Sequence, residues 1–101
     1  MASVRLIDVT DVPTGSVREA HYAGVSFAVA NVDGEFFVIS GDCPHRDGPL
    51  GHGALHGTTL VCPWHAWEFD VRTGECADRE DCRLGTYPVV VQEGAVFIER
   101  I

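Results

Sequence analysis

Residues Cys43-Pro44-His45-Arg46-Asp47-Gly48-Pro49-Leu50 read CPHRDGPL, and seventeen positions after His45 the chain places Cys62-Pro63-Trp64-His65, CPWH. Each stretch sets a thiol and an imidazole within a few residues of each other on a Pro-stiffened turn. Brought together, the two loops offer two sulfurs and two ring nitrogens, a set that suits either tetrahedral zinc or a two-iron cluster. The first pair lies in a long Gly- and Pro-rich segment between Ser40 and Gly57, where few residues favour a strand. Loops of that length inside a compact domain are usually functional. A second irregular stretch surrounds CPWH before Trp67-Glu68-Phe69-Asp70-Val71 resumes strand character and Arg72-Thr73-Gly74-Glu75 turns.

Outward from the two loops the pattern is one of short strands and tight turns. Val25–Ala30 and Glu35–Ile39 are β-rich runs separated by Asn31-Val32-Asp33-Gly34, whose Asp-Gly supplies the positive-φ residues of a hairpin. Tyr87–Val91 and Ala95–Ile98 flank Gln92-Glu93-Gly94 in the same way, Val4–Val9 reads as a further strand, and Tyr22-Ala23-Gly24 as a turn. Long amphipathic helical periodicity is missing, so the fold class expected is all-β, an antiparallel sandwich or barrel. With 101 residues the chain is one domain of small size, expected to bury a single core.

Composition narrows the partners. Fifteen acidic residues oppose seven cations, all Arg, giving a formal charge of -8. Phosphate backbones and anionic membranes repel such a surface, whereas a protein partner with a basic patch fits it. No apolar run reaches bilayer length and the N-terminus has no signal-peptide pattern, so a soluble cytoplasmic protein is expected. In that setting paired Cys and His point to metal before disulfide.

The spacing separates the two metal readings. Zinc modules typically close one half with two cysteines and the other with two histidines. Here each half is mixed: Cys-x-His, sixteen residues, then Cys-x2-His. CPHRDGPL, a Gly-rich crossing, and CPWHAWEFDVRTGE together resemble the cluster-binding segment of bacterial Rieske [2Fe-2S] ferredoxins, and the β-rich flanks resemble the rest of that domain. The resemblance implies one [2Fe-2S] cluster, with Cys43 and Cys62 as ligands of the inner iron and His45 and His65 as ligands of the outer iron. It also implies a Rieske-type sandwich over residues 1–101, carrying a small subdomain of two ligand loops at about 41–70. Neutral imidazoles in place of two thiolates leave such a cluster less negative, so it accepts an electron more readily than an all-cysteine centre.

Departures from the family pattern carry information as well. High-potential Rieske proteins tie their ligand loops with a disulfide, and the corresponding positions here are Gly48 and Trp64. They also place a Ser and a Tyr where this chain has Trp67 and Phe69, neither of which can donate an O-H to sulfur. A reduction potential near the low end of the Rieske range, roughly -150 mV, is therefore expected. Gly48, Gly51 and Gly53 are candidates for turning backbone N-H groups toward cluster sulfur. Cys76 and Cys82 lie outside the ligand loops and are read as thiols. His52 and His56 are read as solvated loop residues, and His21 as a surface strand residue.

The function the resemblance implies is single-electron transfer from a flavin-dependent ferredoxin reductase to the terminal oxygenase of a ring-hydroxylating system, by a monomer that is not itself an enzyme. A Rieske oxygenase needs a further domain with a mononuclear iron, which 101 residues cannot add. The alternative among carriers is the small Rieske subunit of an assimilatory nitrite reductase. A structural zinc module is the remaining alternative, opposed by the mixed ligand halves.

Overall fold

A computed structural model describes residues 3–42, 49–64, 66–77 and 82–99. These residues form strands β1 (Ser3–Asp8), β2 (Val17–Tyr22), β3 (Val25–Val32), β4 (Glu35–Ser40), β5 (Ala54–His56), β6 (Thr59–Val61), β7 (Glu68–Asp70), β8 (Thr86–Tyr87), β9 (Val89–Gln92) and β10 (Ala95–Glu99). Short 3-10 turns at Val9–Asp11 and Leu50–His52 are the helical elements among the described residues. The strands build three antiparallel sheets, ordered β1-β10-β9, β2-β3-β4-β8 and β5-β6-β7. The all-β expectation holds.

Two-residue turns set the hairpins. Asp33 and Gly34 both have positive φ, +51° and +91°, the twist that matches flanking strands. The turn is shorter than the sequence suggests, because Asn31 and Val32 continue the ladder opposite Phe36 and Glu35. Asn31 is buried: its side-chain amide donates to the Val12 carbonyl at 2.8 Å, and its oxygen accepts the Gly34 N-H at 2.8 Å. Pro88 breaks the expected Tyr87–Val91 strand. Without an N-H it cannot continue a ladder, so β8 stays with β4 while β9 crosses to β10.

The four-stranded sheet is buried on both faces. Phe27, Val29 and Val38 pack toward β1 and β10 with Val4, Val96 and Ile98. Their neighbours Ala28, Ala30 and Ile39 pack toward the small sheet with Leu50, Leu60, Phe69 and Val71. Strict alternation along β3 thus feeds two apolar clusters, which corrects the expectation of a single core and explains why VSFAVANV is apolar nearly throughout. Strands β5 and β6 are unmarked in the sequence reading, and of β2 only His21 is read as a strand residue. VREAHY buries only Val17 and Ala20, and β5 is a three-residue strand inside the segment read as irregular. It pairs with β6 across a turn in which Gly57 has φ +62°.

Candidate functional site

Strands β6 and β7 flank the loop that carries CPWH. The Cys62 N-H donates to the Trp67 carbonyl at 2.8 Å and closes the loop at its base, while Ala66 turns the chain with φ +57°. Cys62 is 1% exposed. Its sulfur accepts the backbone N-H of Trp64 at 3.4 Å. A buried sulfur receiving an N-H is the environment that stabilises a metal-bound thiolate. Trp64 itself is 48% exposed, so the loop buries its sulfur and presents its indole to solvent.

The other loop is pinned at its two ends. Gly41 donates to the Ser26 carbonyl and Leu50 to the Gly41 carbonyl, each at 3.0 Å, and Asp42 bridges Pro49. Residues 43–48 between these anchors lie outside the described residues, and so does His65. Of the four expected ligands, Cys62 is therefore the one the structure describes; Cys43, His45 and His65 are not described. Among the described residues alone, no group of three His, Cys, Asp or Glu side chains forms a metal site.

Below the first loop, the chain approaches its supports too closely for side chains. A Cβ at Gly51 would strike the backbone of Glu19, and one at Gly53 would strike the Val61 carbonyl oxygen. For these two glycines close packing is the role that the described contacts demonstrate. Gly48 lies outside the described residues.

Glu19 on β2 is a residue the sequence reading missed. Its Oε1 lies 3.1 Å from Nε2 of both His52 and His21, and its Oε2 accepts the Ser26 hydroxyl at 3.2 Å. Ser26 in turn supplies the carbonyl that holds Gly41, so Glu19 links both ends of the first loop to the central sheet. His52 is consequently tied down rather than merely solvated, although its ring remains exposed. His21 is a surface residue of β2, as expected, and His56 is exposed as expected but lies on strand β5 rather than in a loop. No motif marks Glu19; the spacing that reveals it is three-dimensional.

Trp67 packs half-buried against the cluster that contains Cys62, and Phe69 is fully buried within it. Phe69 is thus a core residue, and Trp67 lies at the edge of that core. Beyond β7, Asp70 receives the Arg72 guanidinium at 3.0 Å and the Arg72 N-H at 2.9 Å. The guanidinium hydrogen bond holds the Asp70 carboxyl below its ordinary value, against a smaller upward push from burial.

The described part of the site is thus a small antiparallel sheet that buries the Cys62 sulfur beneath an exposed loop tip. The Rieske [2Fe-2S] domain family matches residues 2–88. The chain is 35% identical over 101 residues to the 3-phenylpropionate/cinnamic acid dioxygenase ferredoxin subunit of Photorhabdus laumondii, covering 97% of this chain and 94% of that one. It is 34% identical to the ferredoxin component of the p-cumate 2,3-dioxygenase system of Pseudomonas putida, over 95% of this chain and 84% of the relative. Among solved structures, the Sphingomonas yanoikuyae B1 ferredoxin superposes with a TM-score of 0.88 at 34% identity, over 99% of this chain and 100% of that chain. A chain of the complex of reduced oxygenase and oxidized ferredoxin in carbazole 1,9a-dioxygenase superposes at 0.83 with 30% identity, over 95% of this chain and 91% of its own. A small subunit described as a putative nitrite reductase also reaches 0.83, but at 18% identity this is a likeness of fold alone.

The chain belongs to the Rieske [2Fe-2S] family. It is a ferredoxin-type electron carrier with a Rieske [2Fe-2S] cluster, not a catalytic component.

Proposed function

We propose that Cys43 and Cys62 hold the inner iron and His45 and His65 the outer iron, and that the chain carries single electrons from a flavin-dependent reductase to the oxygenase of a ring-hydroxylating dioxygenase system. The observation that carries this reading is the buried Cys62 sulfur with its Trp64 N-H, set in a chain that aligns almost end to end with dioxygenase ferredoxin subunits. When bound, the cluster supplies a one-electron couple. The chain's own part is to fix the ligand loops, keep water from the inner sulfur, and offer an acidic surface to basic partners. Residues 41–70 act as the cluster-binding segment of a single domain 1–101, working as a cytoplasmic monomer. Among the described residues no helix is long and apolar enough to cross a membrane.

The oxygenase reading is favoured over the nitrite reductase one by sequence: identity is 26–38% to dioxygenase ferredoxins and 18% to the putative nitrite reductase subunit. Anaerobic purification should give a brown-red protein whose dithionite-reduced electron paramagnetic resonance signal has the low average g value of histidine ligation. Its potential should lie near roughly -150 mV, and a value near about +300 mV would contradict the roles given to Trp67 and Phe69. A colourless, zinc-containing protein overturns the ligand assignment. Stopped-flow mixing with a flavin reductase and a dioxygenase α-subunit should show reduction and then reoxidation; failure to reoxidise argues for another acceptor.

A further inference from the structure

Glu75 pairs with Arg83 across an antiparallel bridge. Moving one residue along each strand sets Cys76 opposite Cys82, and the Cys76 N-H donates to the Cys82 carbonyl at 3.2 Å. The Leu84 N-H to Gly74 carbonyl bond at 2.7 Å fixes the same register on the other side. In this register the side chains alternate. Glu75 and Arg83 face outward and are exposed, while Cys76, Cys82 and Leu84 face the apolar cluster beneath the second ligand loop. Directly opposed residues of a hydrogen-bonded pair have Cα atoms about 5.5 Å apart. A disulfide spans about 4.4–6.8 Å between Cα atoms. The Cα separation of such a pair fits a disulfide, and closing the bond requires drawing the two Cβ atoms together from the wider spacing of a hydrogen-bonded pair; both are thiols here.

We infer that Cys76 and Cys82 are a reversible dithiol-disulfide pair, a modification site separate from the cluster ligands. The oxidant is a disulfide, either a small one such as glutathione disulfide or one carried by a thiol-exchanging protein. Cys82, half-buried where Cys76 is buried, is the first to react. Its thiolate attacks one sulfur of the oxidant and releases the other as a thiol. Cys76 then attacks the Cys82 sulfur of the mixed disulfide and releases the second thiol. The protein loses two protons and two electrons, and the oxidant gains them as two thiols. The bridge closes a ring around residues 77–81 and fastens the Cys82 strand to the Cys76 strand. That strand in turn bridges Phe69 on β7, and the Ala77 N-H donates to the Glu68 carbonyl at 2.9 Å. Thiol-disulfide poise thereby reaches the support of the CPWH loop without touching a proposed ligand.

The test uses the purified holoprotein, equilibrated anaerobically in glutathione buffers of rising disulfide content. Each sample is quenched in acid, unfolded, alkylated and weighed by mass spectrometry. The chain has four cysteines, so the reduced form should take four alkyl groups and the oxidised form two, with a peptide joining Cys76 to Cys82. Dithiothreitol should restore four, and the visible spectrum of the cluster should persist throughout. Cys82→Ser, at the less buried position, should take three alkyl groups at every ratio. Four alkyl groups at the most oxidising ratio, or a bridge that includes Cys43 or Cys62, overturns the inference. The spectrum reports separately on the ligand assignment. A colourless chain that still joins Cys76 to Cys82 supports the pair and counts against the electron-carrier site.

Discussion

The two sides of the central sheet are built differently. Toward β1 and β10, longer strands pair over more of their length: β1 and β10 share five facing pairs, and β10 and β9 four. Toward the site, β5, β6 and β7 are three residues each, with three facing pairs at each junction. Strands that short do not hold a sheet by their own ladder. The small sheet rests instead on Leu60, Phe69 and Val71, all fully or almost fully buried, and on backbone approaches that only glycine permits. The sandwich supplies its own stability, whereas the site layer depends on its underlying core and on what its loops bind.

The largest expected effect breaks that dependence directly. Metal binding is coupled to the folding of its ligand segment, so Cys62→Ser should abolish the brown-red absorbance and loosen the site layer. Amide hydrogen exchange should accelerate in β5–β7 while β3 and β4 keep their protection. Equal protection of both regions in the variant would mean that the small sheet is self-supporting. Next in size is Phe69→Ala, which empties a fully buried site in the cluster under the ligand loop. A loss of about 3–5 kcal/mol in denaturant unfolding is expected.

Two smaller changes sharpen the contrast by acting on one side each. Gly53→Ala forces a Cβ against the Val61 carbonyl, at a cost of about 1–3 kcal/mol, with the exchange increase confined to β5 and β6. Asn31→Ala removes the donor to Val12 and the acceptor for Gly34 in the sandwich, also at about 1–3 kcal/mol. Its exchange increase should fall on the β3–β4 turn and leave the site layer unchanged. Spread of either effect across the central sheet would show that the two layers unfold as one.

The same contrast governs what the sequence reveals. Asp33-Gly34 and the apolar runs on either side disclose the β3–β4 hairpin because turn chemistry and periodicity are local. Ala54–His56 and Thr59–Val61 carry too few residues for a period to register, and β2 hides because VREAHY buries two side chains of six. At the site, Cys62-Pro63-Trp64-His65 stands out because a Cys and a His so close in sequence form a recognisable pattern. Glu19 does not, since its tie to His52 spans 33 positions and obeys no motif. The Cys76–Cys82 opposition likewise emerges only when the Glu75–Arg83 register is known.

The smallest effect lies at the rim of the site layer, where Asp70 and Arg72 close the turn after β7. The guanidinium hydrogen bond lowers the Asp70 carboxyl from its ordinary value of 3.8. A carboxyl depressed in the folded state contributes stability that is present above its unfolded value and is lost as pH falls through the folded one. Arg72→Met should therefore leave a small deficit that is constant from neutral pH to about pH 5 and shrinks in more acidic solution. An NMR titration of the Asp70 carboxyl should show its midpoint rising toward the ordinary value in the variant. An unmoved midpoint would assign the depression to the backbone N-H of residue 72, which the variant retains, and would make the turn itself the stabilising unit.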